Sequence, residues 1–287
     1  MRNISVIIND RGYFGGDFVD YLDAFNPQDS LPLDLIQMAG TEIIPPLLRA
    51  LQEQDLHPVI SHDLDTIAKL YRASEGRMKR IIQTNDPRYH PHASRADTVV
   101  LALLRDGVPH GCVASRLIWC EQTLAAEMES GRFWVENPVT MWTRSDRCIV
   151  RAPIAKTIRA CHVVFSGSIF LSQQVTGGNT LATMLRLHAL WLLCHWRWSW
   201  LTGITEGALA RRHLFDVYGL ASMDLGIWRT RPGEGDELHK YELSSIDRET
   251  AMESWLRPET GNLARPMGRP PISLMPFEGH RMEPAEV

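Results

Sequence analysis

One stretch, residues 162–230, constrains the fold more than any other part of the chain. Residues 162–171 (HVVFSGSIFL) form an apolar run broken by glycine, and residues 172–179 (SQQVTGGN) form a polar glycine turn. Residues 180–196 are apolar at helical spacing, and residues 198–204 (WSWLTGI) are a short aromatic run. A helix-like segment (206–218) and a strand-like run (223–230, MDLGIWRT) complete the series. Periodicity and turn chemistry predict strand, glycine turn, helix, strand, helix, strand.

The glycine turn is the chemical centre of this series. A helix that opens at about Thr180 leaves unpaired N–H groups and a positive dipole end facing the turn. Gly177 and Gly178 let backbone come close to a bound anion such as a phosphate. A pair of glycines also serves in an ordinary tight turn, so the order of elements has to carry the weight.

Composition closes several other routes. The net charge of −4 gives no electrostatic case for nucleic acid or an anionic membrane surface. The five cysteines, Cys112, Cys120, Cys148, Cys161 and Cys194, are odd in number and form no CxxC pair, so reduced thiols, a cytoplasmic location and no metal are expected. The longest apolar run, near residues 187–201, is interrupted by His195, Arg197 and Ser199 and is too short and polar to span a bilayer.

Along the chain, residues 4–8 (ISVII) read as a strand. Residues 32–54 read as helical with a break at Pro45-Pro46, and residues 63–83 as an amphipathic helix. Residues 85–95 (NDPRYHPHASR) read as a solvated loop. Residues 96–104 and 110–119 flank Asp106-Gly107, the clearest hairpin signal present. An excursion over 120–160 holds a helix at 123–130. Residues 231–236 read as a linker-like turn, 243–256 as holding a short helix, and the proline-rich remainder as irregular.

Taken together, the strand at 162–171, the turn ending in Gly177-Gly178-Asn179-Thr180-Leu181-Ala182 and the elements after it resemble the core of the GNAT superfamily of N-acetyltransferases. Of two registers for the family's phosphate loop, the one ending at Ala182 keeps Leu181, Met184, Leu185 and His188 on one helix face. Thr180 then stands where the family has glycine. The resemblance implies an α/β (α+β) fold with a mixed, mostly antiparallel sheet, splayed strands four and five, and helices on both faces. It implies a core over 91–235 with an insertion at about 120–160, a helical extension over 1–90 and a C-terminal extension over 236–287.

The same resemblance implies N-acyl transfer, most simply acetyl, from acetyl-CoA or another acyl-CoA to an amine-bearing small molecule or protein, by direct transfer in a ternary complex. A homodimer is kept open. Gly177 to Ala182 would hold the diphosphate, and backbone groups of Ile169, Phe170 and Leu171 the pantetheine amides, with Gly167 marking a strand bulge. The family's thiolate-protonating tyrosine falls on Phe215, which cannot donate a proton; Tyr218, three residues later, and His213, two earlier, are the neighbouring candidates, neither a direct substitute, and the acid stays unassigned. Glu206, at the end of strand five, is the candidate base, and Ser168 a candidate for polarising the carbonyl. Phe215 and Thr180 also motivate a rival reading, a non-catalytic acyl-CoA-binding or interaction module. Trp191, Trp196, Trp198 and Trp200 are expected in the core, and less favourably in the wall of an acyl pocket.

Overall fold

The computed structural model describes residues 18–25, 31–74, 80–94, 96–143, 145–175, 179–206, 222–231, 234 and 236–256. The strand expected at 4–8, the helix expected over 206–218 from residue 207 onward and the tail beyond 256 lie outside them; Glu206 itself ends a strand.

Among the described residues nine strands make one sheet: β1 (Val19–Asp20), β2 (His57–Ser61), β3 (Thr98–Arg105), β4 (Val108–Thr123), β5 (Cys148–Val150), β6 (Arg159–Leu171), β7 (Trp200–Glu206), β8 (Ser222–Arg229) and β9 (His239–Asp247). Their spatial order is β1-β2-β3-β4-β6-β7-β9-β8-β5. Every neighbouring pair is antiparallel except β6 with β7. The expected hairpin is β3–β4, and Asp106 and Gly107 both take positive φ (50° and 74°), as a two-residue turn of primed type requires.

Strand alternation assigns the two faces. Val99, Leu101 and Leu103 of β3 join one core, whereas Val100, Ala102 and Leu104 join another. The first face is covered by α1 (Tyr21–Ala24), α2 (Leu33–Met38), α3 (Ile44–Gln52), α8 (Thr180–His195) and α9 (Arg248–Trp255). The second face carries α4 (Leu64–Ala73), α5 (Leu124–Glu129), α6 (Pro138–Met141) and α7 (Pro153–Thr157). The fold is therefore the mixed α/β arrangement expected, with helices on both faces of a mostly antiparallel sheet.

The α8 helix differs from its expected single apolar face. Leu185, Leu187, His188, Leu190, Trp191, Leu192 and Leu193 are all buried, so nearly the whole circumference is enclosed. Trp191, Trp196 and Trp198 belong to this core, which makes them packing residues and not the wall of a pocket.

Other expectations are corrected. Residues 33–52 stay helical: α2 passes through a π-helical turn (Ala39–Ile43) into α3, whose first turn holds Pro45 and Pro46, so the prolines do not end the helix. The helix expected over 63–83 ends at Ala73. The segment read as a linker and short helix contains β9, followed by α9 capped by Asp247, whose Oδ1 accepts from Thr250 N at 2.9 Å. The 120–160 excursion adds β5, which extends the sheet by pairing with β8. No described helix is long and apolar enough to cross a membrane.

Candidate functional site

The site begins where β6 and β7 part. Their parallel pairing holds for three residue pairs, Val163 with Trp200, Val164 with Leu201 and Phe165 with Thr202, and then stops. Both strands continue, β6 to Leu171 against β4 and β7 to Glu206 against β9. From Ser166 and Gly203 onward their facing edges are therefore not joined by a ladder. Gly203 lies at the fork: a Cβ there would stand 3.2 Å from the Ser166 carbonyl oxygen.

A bulge shapes the β6 side of the fork. Ala114 pairs with Gly167 and Cys112 with Phe170, so one extra residue is accommodated at Ser168–Ile169. Ser168 takes the left-handed conformation (φ 52°). The bulge is thus centred on Ser168, one residue beyond the expected Gly167. Gly167 has a different job, admitting Ile82, whose Cδ1 would lie 2.7 Å from a Cβ at that position.

Residues 80–94 pack over this region, which corrects the reading of 85–95 as a solvated loop. Ser168 Oγ accepts from Ile82 N (3.4 Å) and Asn85 Nδ2 (3.5 Å). Gln83, Thr84, Asn85, Asp86 and His90 are buried. His90 Nε2 is bonded to Trp134 O at 2.9 Å, and burial, then the Arg116 charge, pushes the imidazole down to about 4. His92 meets Glu136 at 2.6 Å instead of a metal. Among the described residues no group of three His, Cys, Asp or Glu side chains could hold a metal ion.

At the β7 side, Glu206 is the hub of a charged network. Its Oε1 accepts from Arg80 Nη2 (3.1 Å) and Arg231 Nη2 (2.7 Å). Glu234 accepts from the same two arginines at 3.2 and 3.0 Å, and hydrogen bonding to Arg231 holds its carboxyl below the usual range. Arg231 Nε donates to Tyr241 OH at 3.0 Å, and Tyr241 is the register partner of Glu206. The segment read as a linker therefore supplies two members of this network.

Further along the second face lies an aromatic group. Phe133 and Phe165 meet edge to face at 5.2 Å, with Trp134 beside both. Arg229 of β8 lies over Trp134, its guanidinium carbon 3.8 Å from the ring centre and 5.9 Å from that of Trp142. Sequence reasoning considered only the 191–200 tryptophans as a pocket wall, and preferred core packing for them, so it missed these. The available signal was strand parity, since Arg229 shares a face with the apolar Ile227.

The remaining sequence candidates fall as follows. The α8 helix starts where expected, with Asn179 at its cap position and Thr183 N bonded to Asn179 O at 2.8 Å. Thr180 Oγ1 donates to Gln54 Oε1 at 2.7 Å, while Leu181 and Ala182 are half-buried. Ile169, Phe170 and Leu171 follow the bulge directly. Gly177, Gly178, Phe215 and Tyr218 lie outside the described residues. The thiols of Cys112, Cys120, Cys148 and Cys194 are pushed up to about 12 by burial, which leaves none of them poised as a nucleophile.

No family model and no curated protein matches the chain. Among solved structures it resembles an acetyltransferase of the GNAT family from Streptococcus pneumoniae, at 12% identity over 66% of this chain and 99% of that one, with a TM-score of 0.37. FeeM, an N-acyl amino acid synthase from uncultured soil microbes, aligns at 9% identity over 70% and 92% of the two chains, with a TM-score of 0.38. RimJ of Mycobacterium smegmatis, solved with a CoA-disulfide, aligns at 10% over 69% and 87%, also with a TM-score of 0.38.

Proposed function

We propose that the protein is an N-acyltransferase that moves an acyl group, most simply acetyl, from an acyl-CoA to an amine. The observation that carries this reading is the fork between β6 and β7. An extended chain carrying amides can enter such an opening and bond to the unladdered strand edges as a short extra strand would. A pantetheine arm has that form, and its thioester would then lie near the fork. Asn179 to Ala182, at the start of α8, together with Gly177 and Gly178, is the proposed cradle for the diphosphate.

Acyl transfer to an amine needs a neutral nucleophile, a polarised carbonyl and a protonated leaving thiolate. Glu206 is the proposed base, acting on the ammonium directly or through water. Ser168 is proposed to orient the bulge beside the carbonyl, and Tyr218 to serve as the proton donor to the leaving thiolate. Much of the rate would come from holding the two substrates together at the fork.

Isothermal titration of the full chain with acetyl-CoA tests the reading, followed by thiol release with a panel of amines. Saturable binding with amine-dependent thiol release is expected. Binding with no thiol release for any amine would favour the non-catalytic module instead, and absence of binding at about millimolar ligand would end both.

A further inference from the structure

The most unusual side chain on the second face is Arg229. It is 6% exposed, and burial lowers the guanidinium to about 10. Its Nε has no hydrogen-bond partner, and no described carboxylate lies within salt-bridge distance. Asp146 acts on it at longer range, but that carboxylate is held by Thr143 N (2.8 Å) and Thr143 Oγ1 (2.7 Å).

Other buried or half-buried arginines are treated differently. Arg116 meets Asp97 Oδ2 at 2.8 Å, and Arg248 donates to the carbonyls of Trp196 and Leu193 at 2.9 and 3.0 Å. Arg231 is neutralised by Glu206 and Glu234. Burying a charge without a counter-ion is unfavourable, strongly so when one partner of a buried pair is missing. The Trp134 ring beneath it offsets only part of that.

Stacking also has a geometric consequence. The Trp134 ring takes one side of the guanidinium, its centre 3.8 Å from the guanidinium carbon, so the N–H groups directed away from the ring are left for an anion. A single unneutralised positive charge calls for a single negative one, which favours a carboxylate over a doubly charged phosphate. The position suits a substrate. Glu206 pairs with Tyr241, Tyr241 with Ile227, and Arg229 is two residues beyond Ile227 on the same face. Strand spacing and rise put its Cα on the order of 12 Å from that of Glu206.

We infer that Arg229 is the counter-ion for a carboxylate of the acceptor, which lodges among Tyr89, Trp134, Trp142 and Tyr241 while its amine points toward the fork. The acceptor class is then an amino acid or another small amine bearing a carboxylate. The word acceptor rests on the acyl-transfer reading; the carboxylate site does not.

The test uses the full chain and a panel of L-amino acids, each beside its decarboxylated amine, with inorganic phosphate as a further arm. Thermal unfolding and tryptophan fluorescence report binding without any acyl donor. At least one amino acid is expected to raise the melting temperature saturably while its amine counterpart does not. Arg229→Met should weaken that binding about 10- to 100-fold, and should melt at or above the wild type without ligand, because an unpaired buried charge is gone. The inference is overturned if amino acid and amine bind alike, if phosphate binds and no carboxylate does, if nothing in the panel binds, or if Arg229→Met melts well below the wild type. Acetyl-CoA titration in parallel separates the two ideas: loss of donor binding removes acyl transfer and leaves the carboxylate site to be judged by its own result.

Discussion

The two faces of the sheet do different work. On the first face, α3, α8 and α9 enclose a core of aliphatic and tryptophan side chains. Few polar side chains fall there: Tyr21 OH and Trp198 Nε1 reach the carbonyls of Leu187 and Leu192, while both ring nitrogens of His188 are buried without a hydrogen bond. On the second face, charged groups bond to one another across segments far apart in sequence, Arg80, Glu206, Arg231 and Glu234, with the Tyr241 hydroxyl bonded to Arg231. The first face is built to exclude water, and the second to position charge. Function is expected on the face where polar groups are organised.

The largest expected effect tests the stability side. Trp255 of α9 is 1% exposed in the first-face core. Trp255→Ala should cost about 3–5 kcal/mol in a denaturant titration, while ligand affinity of the folded fraction stays unchanged. A loss below about 1 kcal/mol would mean that this face is not the structural one.

On the other face the order should invert. Glu206→Gln is expected to slow thiol release at least about 100-fold, with a stability change of about 1 kcal/mol or less because its partners are half-exposed. Turnover unchanged in this variant would remove Glu206 from the chemistry and return it to a bracing role.

The most gradual effect concerns pH. Burial drives the His188 imidazole down to about 3 from an ordinary 6.5, so it is neutral when folded and takes a proton when unfolded. Its contribution to stability is complete above pH 6.5 and declines as pH falls toward 3. His188→Leu should flatten the dependence by about 1.4 kcal/mol per pH unit over that window. Urea midpoints of variant and wild type on either side of it decide the matter; parallel slopes would show that His188 does not stay neutral in the folded chain.

What the sequence disclosed was set by local pattern. The hairpin turn at Asp106-Gly107, the run ending at Leu171, the helix from Thr180 and the strands on either side of residues 207–221 each carry a short-range signature. The strands β2 and β9 do not, because His57–Ser61 and His239–Asp247 mix polar and apolar residues and gain their pairing from neighbours distant in the chain. Glu206 was recognisable as the end of a strand beside the fork. Its partners were not, since Arg80 and Arg231 reach it from segments 126 and 25 residues away. Arg229 looked like the last letter of a strand, and only its neighbours Trp134 and Trp142, brought in by the insertion, give it meaning.

The irregularity at Ser168 has one more result. Phe165 packs with Phe133 and Trp134, and Phe170 packs with Val100 and Cys112, on the same side of the sheet. Five residues separate them, an odd number that plain two-residue periodicity forbids for side chains sharing a side. The added residue works as a half-period phase slip, so β6 points an aromatic ring the same way upstream and downstream of the place where a guest molecule would rest.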